Sequence, residues 1–315
     1  MLKVGLVGVG AISGSHIPTW IDNENVELVA LCDVRPERME EYPDVKHYTD
    51  YEEMLNCEEL DIIDICVPTY LHVEYSTMAM NKGINVLCEK PVSLKNGDAE
   101  MLYKLATEKN VKFMVAQVLR FWNEYTVLKE IYDTQKYGKL LSGSMIRLSA
   151  RPRWSWDNWY FDKDRSGLVP FDLHIHDSDF IVYAFGKPKN VRSFRSNTPA
   201  QDYLNAVYEF DDFSICTEAS WYAPLYPFSA EFRFQFEKAI VANENGAFKI
   251  YQLEDDKVID FSADGGCDDK EISIPKSNGY ANEIVYFIDC VLNDKQPSVV
   301  KPDELETVIS ILNNL

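Results

Sequence analysis

Lys3-Val4-Gly5-Leu6-Val7-Gly8-Val9-Gly10-Ala11-Ile12-Ser13-Gly14 is an apolar run that breaks at closely spaced glycines and then enters a helical pattern. Gly8 allows a tight turn from strand to helix, and Gly10 lets a pyrophosphate approach the backbone. The start of the following helix, at Ala11 and Ile12, offers free N–H groups and a partial positive charge. Ser13 stands where such turns usually carry a third glycine, and it is still small enough for close helix–sheet packing. The next apolar run ends at Asp33, 25 positions after Gly8. An acid there accepts both ribose hydroxyls of an adenosine and repels a 2′-phosphate, which favours NAD over NADP. Arg35 and Arg38 lie close behind and would blunt that preference by pairing with a phosphate. The plainer reading, Asp33 as a turn cap, stays open.

Outward from this turn, residues 1–117 alternate between short apolar runs and helical patterns. Residues 3–7, 26–32, 62–67, 85–88 and 112–116 read as strands, and 12–22, 36–41, 51–56, 70–82 and 93–109 as helices. Near-continuous apolar strands separated by helices imply a parallel sheet covered on both faces. The expected class is α/β: a doubly wound Rossmann domain over 1–119, then a second α/β domain over 120–315 with an open, mostly antiparallel sheet.

Glu89-Lys90-Pro91 closes one of the parallel strands. Open α/β sheets bind ligands at the carboxyl ends of their strands, so a lysine there is a candidate donor to a substrate oxygen. Pro91 stops the strand. Another strand ends in Pro68-Thr69-Tyr70-Leu71-His72, where Thr69 is expected to cap the following helix. His72 falls in that helix's first turn, and as a lone histidine it reads as structural or as a contact to cofactor.

Taken in order, Gly8 to Ser13, Asp33, Pro68 to His72, Glu89-Lys90-Pro91, Gln117-Val118-Leu119-Arg120-Phe121 and Asp172-Leu173-His174-Ile175-His176-Asp177-Ser178-Asp179 resemble the Gfo/Idh/MocA family of NAD(P)-dependent oxidoreductases. The likeness covers about the first 190 residues, and the tail from Tyr280 is similar but less distinctive. The chain departs from the family pattern at Ser166-Gly167, where two glycines are usual, and at His174, where many members carry glycine. The resemblance implies hydride transfer between NAD(P) and a hydroxyl carbon of a sugar, polyol or inositol-like compound. It implies cofactor contacts at Gly8, Gly10, Ala11, Ile12, Asp33, Arg35, Pro68, Thr69, His72, Glu89, Lys90 and Gln117. Two other readings accompany it: an NAD-dependent glycoside hydrolase of the same family, and a non-catalytic sensor of dinucleotide or sugar.

Oxidising an alcohol needs a base for the hydroxyl proton, and histidine serves near neutral pH. On a helix Asp172 and His176 share a face, so the carboxylate can orient the imidazole. Lys90 completes the catalytic set by stabilising alkoxide character. The rival reading is a metal site, because His174 and His176 would share a face on a strand. The run from Ile175 to Gly186 reads as helical, which turns the two rings apart, so no metal is expected. His174 and Asp179 then read as a capping and packing pair. Arg151-Pro152-Arg153-Trp154-Ser155-Trp156-Asp157-Asn158-Trp159 is rich in groups that stack on sugar rings or meet hydroxyls. Arg153, Trp156, Trp159, Arg120, Lys90, Asp172 and His176 are therefore the candidate substrate contacts. Interface or loop packing by the tryptophans, and an interdomain salt bridge by Arg120, are the bland alternatives.

Residues 144–150, 190–195, 204–210, 214–221, 231–241, 248–253 and 271–275 read as strands of the second sheet. Alternation in Phe232-Arg233-Phe234-Gln235-Phe236 puts aromatics on one face. An open face carrying Trp221, Tyr222, Phe232, Phe234 or Phe236 would seek cover, which predicts a homodimer or homotetramer through this sheet.

Composition narrows the partners. A formal net charge of −20 argues against nucleic acid or an anionic membrane surface. The apolar runs are strand-length, far short of a membrane span. The first eight residues carry one basic side chain and run into the glycine turn, so they read as a strand and not as a secretion signal. Cysteines 32, 57, 66, 88, 216, 267 and 290 are scattered without a Cys-x-x-Cys pair. That usage fits a reducing cytoplasm.

Overall fold

A computed structural model describes residues 1–261 and 278–315. The chain folds as two compact units, Met1–Val118 with Asp164–Ser166 and Asn278–Ile309, and Leu119–Lys163 with Gly167–Ser277 and Ser310–Leu315. The expected strand at 271–275 lies outside the described residues.

The first unit is built on a six-stranded, wholly parallel sheet. Its strands are β1 (Leu2–Val7), β2 (Val26–Cys32), β3 (Lys46–Tyr48), β4 (Ile62–Ile65), β5 (Asn85–Glu89) and β6 (Phe113–Ala116), in the order β3-β2-β1-β4-β5-β6. Strand β4 is buried at all four positions, as a sheet covered on both faces demands. Helices α1 (Ser13–Asp22), α2 (Tyr51–Cys57), α3 (His72–Asn81) and α4 (Asp98–Lys109) connect the strands. The crossing of the order between β1 and β4 makes the switch point at which such sheets hold ligands.

The second unit carries α5 (Asn123–Thr134), the first residue of the short helix α6 (Lys163–Ser166) and α7 (Ile175–Phe185). Its sheet uses β7 (Leu140–Ala150), β8 (Asn190–Asn197), β9 (Asp202–Glu209), β10 (Ser214–Tyr222), β11 (Ser229–Phe236), β12 (Ala239–Glu244), β13 (Ala247–Gln252) and β14 (Val258–Asp260). They run in the order β14-β13-β12-β11-β7-β10-β9-β8, and only β10 with β7 is parallel. The open, mostly antiparallel sheet is as expected.

The last two helices, α8 (Gly279–Leu292) and α9 (Pro302–Leu312), fall largely in the first unit. Glu306 of α9 accepts from the Gly97 and Ala99 N–H groups at the start of α4, at 2.8 and 3.0 Å, which ties the tail to the parallel sheet's helices. The expected single strand over 231–241 is a hairpin of β11 and β12, turned at Glu237-Lys238. The aromatic face is the covered one: Trp221, Phe232, Phe234 and Phe236 are 3%, 1%, 0% and 3% exposed. Phe232 packs edge-on to Tyr125 of α5 and Phe234 stacks on Phe185 of α7. The alternation was right and the side was inverted, because helices α5 and α7 supply the cover that a partner was expected to give. Among the described residues no helix is long and apolar enough to cross a membrane.

Candidate active site

Gly8 adopts φ +93°, and a Cβ there would lie 2.6 Å from the backbone C and O of Cys66. The turn therefore packs against the exit of β4 as only glycine can. A Cβ on Gly10 would meet nothing within 4 Å, so that side of the turn is open to a ligand. Helix α1 starts with no side-chain cap, leaving its first N–H groups to an outside acceptor. The Ser13 hydroxyl donates to Gly10 O at 2.9 Å and is buried, consistent with its place as a small packing residue.

Asp33 is almost fully buried, and its carboxylate accepts from Val9 N at 2.9 Å and from Arg35 N at 2.9 Å. The Arg35 Nε lies 3.3 Å from the same carboxylate, and Arg38 Nε donates to Val9 O at 2.9 Å. Arg35 is thus drawn onto Asp33 and Arg38 onto the turn itself. Gln117, 1% exposed, directly follows β6 and has an Nε2 that finds no acceptor among the described residues. An orphaned buried donor just past a strand end of the sheet that carries the open glycine turn fits a bound dinucleotide.

Thr69 does not cap α3. A 3-10 turn over Thr69–Leu71 precedes the helix, which starts at His72 behind an uncapped Leu71. His72 is buried, with Nδ1 2.7 Å from Pro91 O and Nε2 2.8 Å from Val67 O. It clips the exit of β4 to the exit of β5, and burial holds its pKa below the usual range.

Glu89 belongs to a group that sequence reading missed. His16, Asp64 and Glu89 are all buried, with His16 Nδ1 2.8 Å from Asp64 Oδ2 and Nε2 3.1 Å from Glu89 Oε1. Trp20 Nε1 donates to Asp64 at 2.7 Å, and Lys90 N donates to Glu89 Oε2 at 2.9 Å. One signal was available: Asp64 is a charge inside the apolar strand Ile62–Ile65, and such a group needs a buried partner. His16, Asp64 and Cys66 bring ligand atoms within 4.8 Å of one another, as a metal site would. His16 and Trp20 both donate to Asp64 Oδ2 and His16 also meets Glu89, so the group reads as an ion network. Lys90 itself is half-buried at the end of β5, and its peptide bond to Pro91 is cis.

In the second unit, the chain enters α7 through Gly167 at φ +71°, Leu168 at φ +61° and a π-helical turn over Pro170–His174. Such turns re-aim side chains and are frequent at functional sites. Between Phe171 and Phe180 every residue is buried except Asp172 and His176, which are half-buried. The neighbouring polar groups are engaged in the interior. Asp177 takes Arg147 at 2.7 Å, and Arg147 also reaches the Tyr125 hydroxyl. Asp179 takes Arg120 through two bonds of 2.8 and 2.7 Å.

The Arg120 ion pair lies within the second unit: its side chain has no exposed surface, and it also covers the Tyr183 ring at 4.5 Å. His174 and Asp179 do not pair. His174 Nε2 meets the Tyr208 hydroxyl at 2.8 Å, and Ser178 shares that hydroxyl. Two residues along the helix, His176 points well away from His174, as about 100° per residue requires.

Burial pushes the His174 pKa down to about 4. An unfolded histidine takes its proton near 6.5, so between these limits the unfolded chain binds more protons. The stabilising effect of the neutral ring is complete above 6.5 and is lost as pH falls toward 4. His174→Phe is expected to abolish about 3 kcal/mol of the stability that is otherwise lost on acidification across this window, read by denaturant unfolding. An unchanged slope would contradict the assignment.

The aromatic segment is a 3-10 stretch over Trp156–Phe161, kinked where Asp157 and Asn158 take φ +49° and +50°. Trp159 stacks on Tyr160 at 4.0 Å, and Tyr160 meets Trp221 edge-on at 6.1 Å. Tyr160, Phe161 and Leu173 share one apolar cluster with Trp221, which seats this segment beside the π turn that carries Asp172. Trp156 stays 40% exposed, and the exposed Arg153 donates to Ala223 O at 2.6 Å. Trp159 is half-buried.

Known proteins share this architecture. Residues 2–117 match the family model described as Gfo/Idh/MocA oxidoreductase family, NAD-binding Rossmann fold, and residues 125–242 match its C-terminal domain. Glucose-6-phosphate 3-dehydrogenase of Bacillus subtilis is 26% identical over 226 residues, covering 68% of this chain and 63% of that protein. Inositol 2-dehydrogenase of Salmonella typhimurium is 30% identical over 148 residues, covering 44% of each. In four curated relatives the matched stretch spans between 40% and 63% of the relative's length. Myo-inositol 2-dehydrogenase from Lactobacillus plantarum shares the fold at TM-score 0.80 and 22% identity, covering 99% of this chain and 95% of that one.

Proposed function

We propose, for a chain that belongs to the Gfo/Idh/MocA oxidoreductase family, that it transfers a hydride between NAD and a hydroxyl carbon of a sugar, polyol or inositol-like substrate. The observation that carries this reading is the half-buried pair Asp172 and His176 in an otherwise buried helical run. A plain dinucleotide carrier has no need to keep an acid/base pair at the surface of its second unit.

NAD, when bound, supplies the hydride acceptor. In the turn, Gly10 and the α1 N-terminus would hold its pyrophosphate, with Ala11 and Ile12 at the helix start and Asp33 on the adenosine ribose. Gln117 and the Pro68–Thr69 exit would lie along the same crevice at the strand ends. His176 takes the hydroxyl proton, Asp172 orients the imidazole, and Lys90 stabilises negative charge on the oxygen. Arg153, Trp156 and Trp159 supply stacking and polar contacts to the ring of the substrate. NAD and NADP assayed against sugars, inositols and sugar acids, with Lys90→Ala beside the wild type, test this reading.

A homodimer or homotetramer through the second sheet is part of the proposal, on changed grounds. Ile240, Tyr251 and Val258 are register neighbours on β12, β13 and β14, and stand 36%, 42% and 49% exposed. An apolar row across three strands supports a covered interface. Light scattering at micromolar concentration is expected to give a multiple of the chain mass, and a monomer would contradict it. A reducing cytoplasmic setting suits the buried free thiols of Cys32, Cys66, Cys88 and Cys290.

A further inference from the structure

Three buried ionisable groups form a cluster behind Lys90, and none of them is given a step in the proton or hydride transfer above. His16 is 1% exposed, Asp64 0% and Glu89 6%. Both ring nitrogens of His16 face carboxylate oxygens, and only an imidazolium offers an N–H to each. Burial, the largest single influence, pulls the His16 pKa down, but Asp64 and Cys66 together outweigh it and the net shift is well upward. Cys66 Sγ lies 3.7 Å from Nδ1, and the Tyr280 ring of α8 packs at 5.9 Å from the imidazole. Among the described residues these, with Asp64 and Glu89, are the titratable groups that face it.

Such a group is a poor device for stability. Desolvating several charges costs more than an apolar replacement would, so a buried ion chain is better suited to fixing geometry. The bonds run in one direction through the unit. His16 sits in α1, three residues after Ser13 of the glycine turn, and binds Glu89, whose second oxygen accepts the Lys90 N–H at 2.9 Å. Trp20 holds the far end by its bond to Asp64.

We propose that His16 is a positioning residue: clamped between Asp64 and Glu89, it orients the Glu89 carboxylate that holds the main chain of Lys90. This rests on the reading of Lys90 as a group that acts on substrate. The chain of bonds also links the helix that opens at the dinucleotide turn to the residue expected to meet the substrate oxygen.

The test compares His16→Asn with His16→Gln in the full chain. Asparagine places an amide donor where Nδ1 meets Asp64 and loses Glu89; glutamine reaches Glu89 and loses Asp64. Two readouts apply: amide hydrogen exchange at Lys90, and kinetics with NAD and myo-inositol beside NADH titration by fluorescence. Exchange at Lys90 is expected to rise about tenfold in His16→Asn and to stay near wild type in His16→Gln, the loss of one charge-assisted hydrogen bond. Turnover is expected to fall about tenfold in His16→Asn with NADH affinity held within about threefold, and to recover in His16→Gln.

Equal exchange at Lys90 in both variants and the wild type overturns the inference. So does a His16→Gln protein as impaired as His16→Asn. Should His16→Asn fail to fold, Glu89→Gln keeps the His16–Asp64 pair but offers only one acceptor oxygen for two donors. Unchanged Lys90 exchange in that variant is equally fatal. A wild type that turns over no substrate removes the catalytic reading of Lys90, while the exchange comparison still decides whether His16 positions it.

Discussion

Gly8→Ala is expected to destabilise the first unit by about 3 kcal/mol or more and to weaken NADH binding beyond about a hundredfold. The residue stands at φ +93°, and its new Cβ would lie 2.6 Å from two backbone atoms of Cys66 and 2.7 Å from Val67 N. Backbone atoms cannot swing aside as a side-chain tip can, so the turn or the exit of β4 must move. Gly10→Ala separates folding from binding. Its Cβ enters open space and its φ is not in the left-handed region, so stability should change by less than about 0.5 kcal/mol. NADH affinity should still fall, because that space is where the pyrophosphate approaches. Denaturant unfolding and NADH fluorescence read both variants. A Gly10→Ala protein that binds NADH like the wild type would remove the turn from the cofactor site.

Asp179→Ala is expected to cost about 3–5 kcal/mol, since it leaves the Arg120 guanidinium buried without its bidentate partner. Neither side chain retains more than 1% exposure. Asp179→Leu combined with Arg120→Met should recover most of that loss, because an apolar pair of similar volume avoids desolvating charge. Thermal or denaturant unfolding measures the cycle. Helix α7 also carries His176, so the single variant should lose turnover with stability, and the double variant should regain both. A double variant as unstable as the single one would show that the pair contributes more than charge balance.

Much of the first unit was legible in the sequence because parallel strands are continuous apolar runs. The glycine turn, the ending of β2 at Asp33 and the apolar end of β5 at Lys90 all follow from patterns of that kind. Strand β3 was not legible: it is three residues long, at the sheet edge, with no buried residue. The β11–β12 hairpin was hidden because its turn, Glu237-Lys238, carries neither glycine nor proline. Period-two alternation told which residues of β11 share a face but not which face is covered, and helices α5 and α7 decide that. An amphipathic helix likewise announces a stripe and not its partner, so the attachment of α8 and α9 to the parallel sheet stayed hidden.

The candidate site divides in the same way. Asp172 and His176 were found because spacing on a helix sets a shared face, and the π turn before α7 leaves both half-buried. The pairing of Arg120 with Asp179 was hidden because sequence does not distinguish an arginine facing solvent from one paired in the interior. The ion network behind Lys90 joins residues 16, 64 and 89, which only the fold brings together.

The most direct test of the central claim is the absorbance of reduced nicotinamide when NAD meets sugars, inositols and sugar acids with wild type and Lys90→Ala. The account predicts NAD reduction on one polyol or sugar class, lowered about a hundredfold or more in Lys90→Ala with NADH still bound. Tight NAD binding with no reduction on any compound would contradict it, leaving a glycoside-cleaving or sensing role for the same fold.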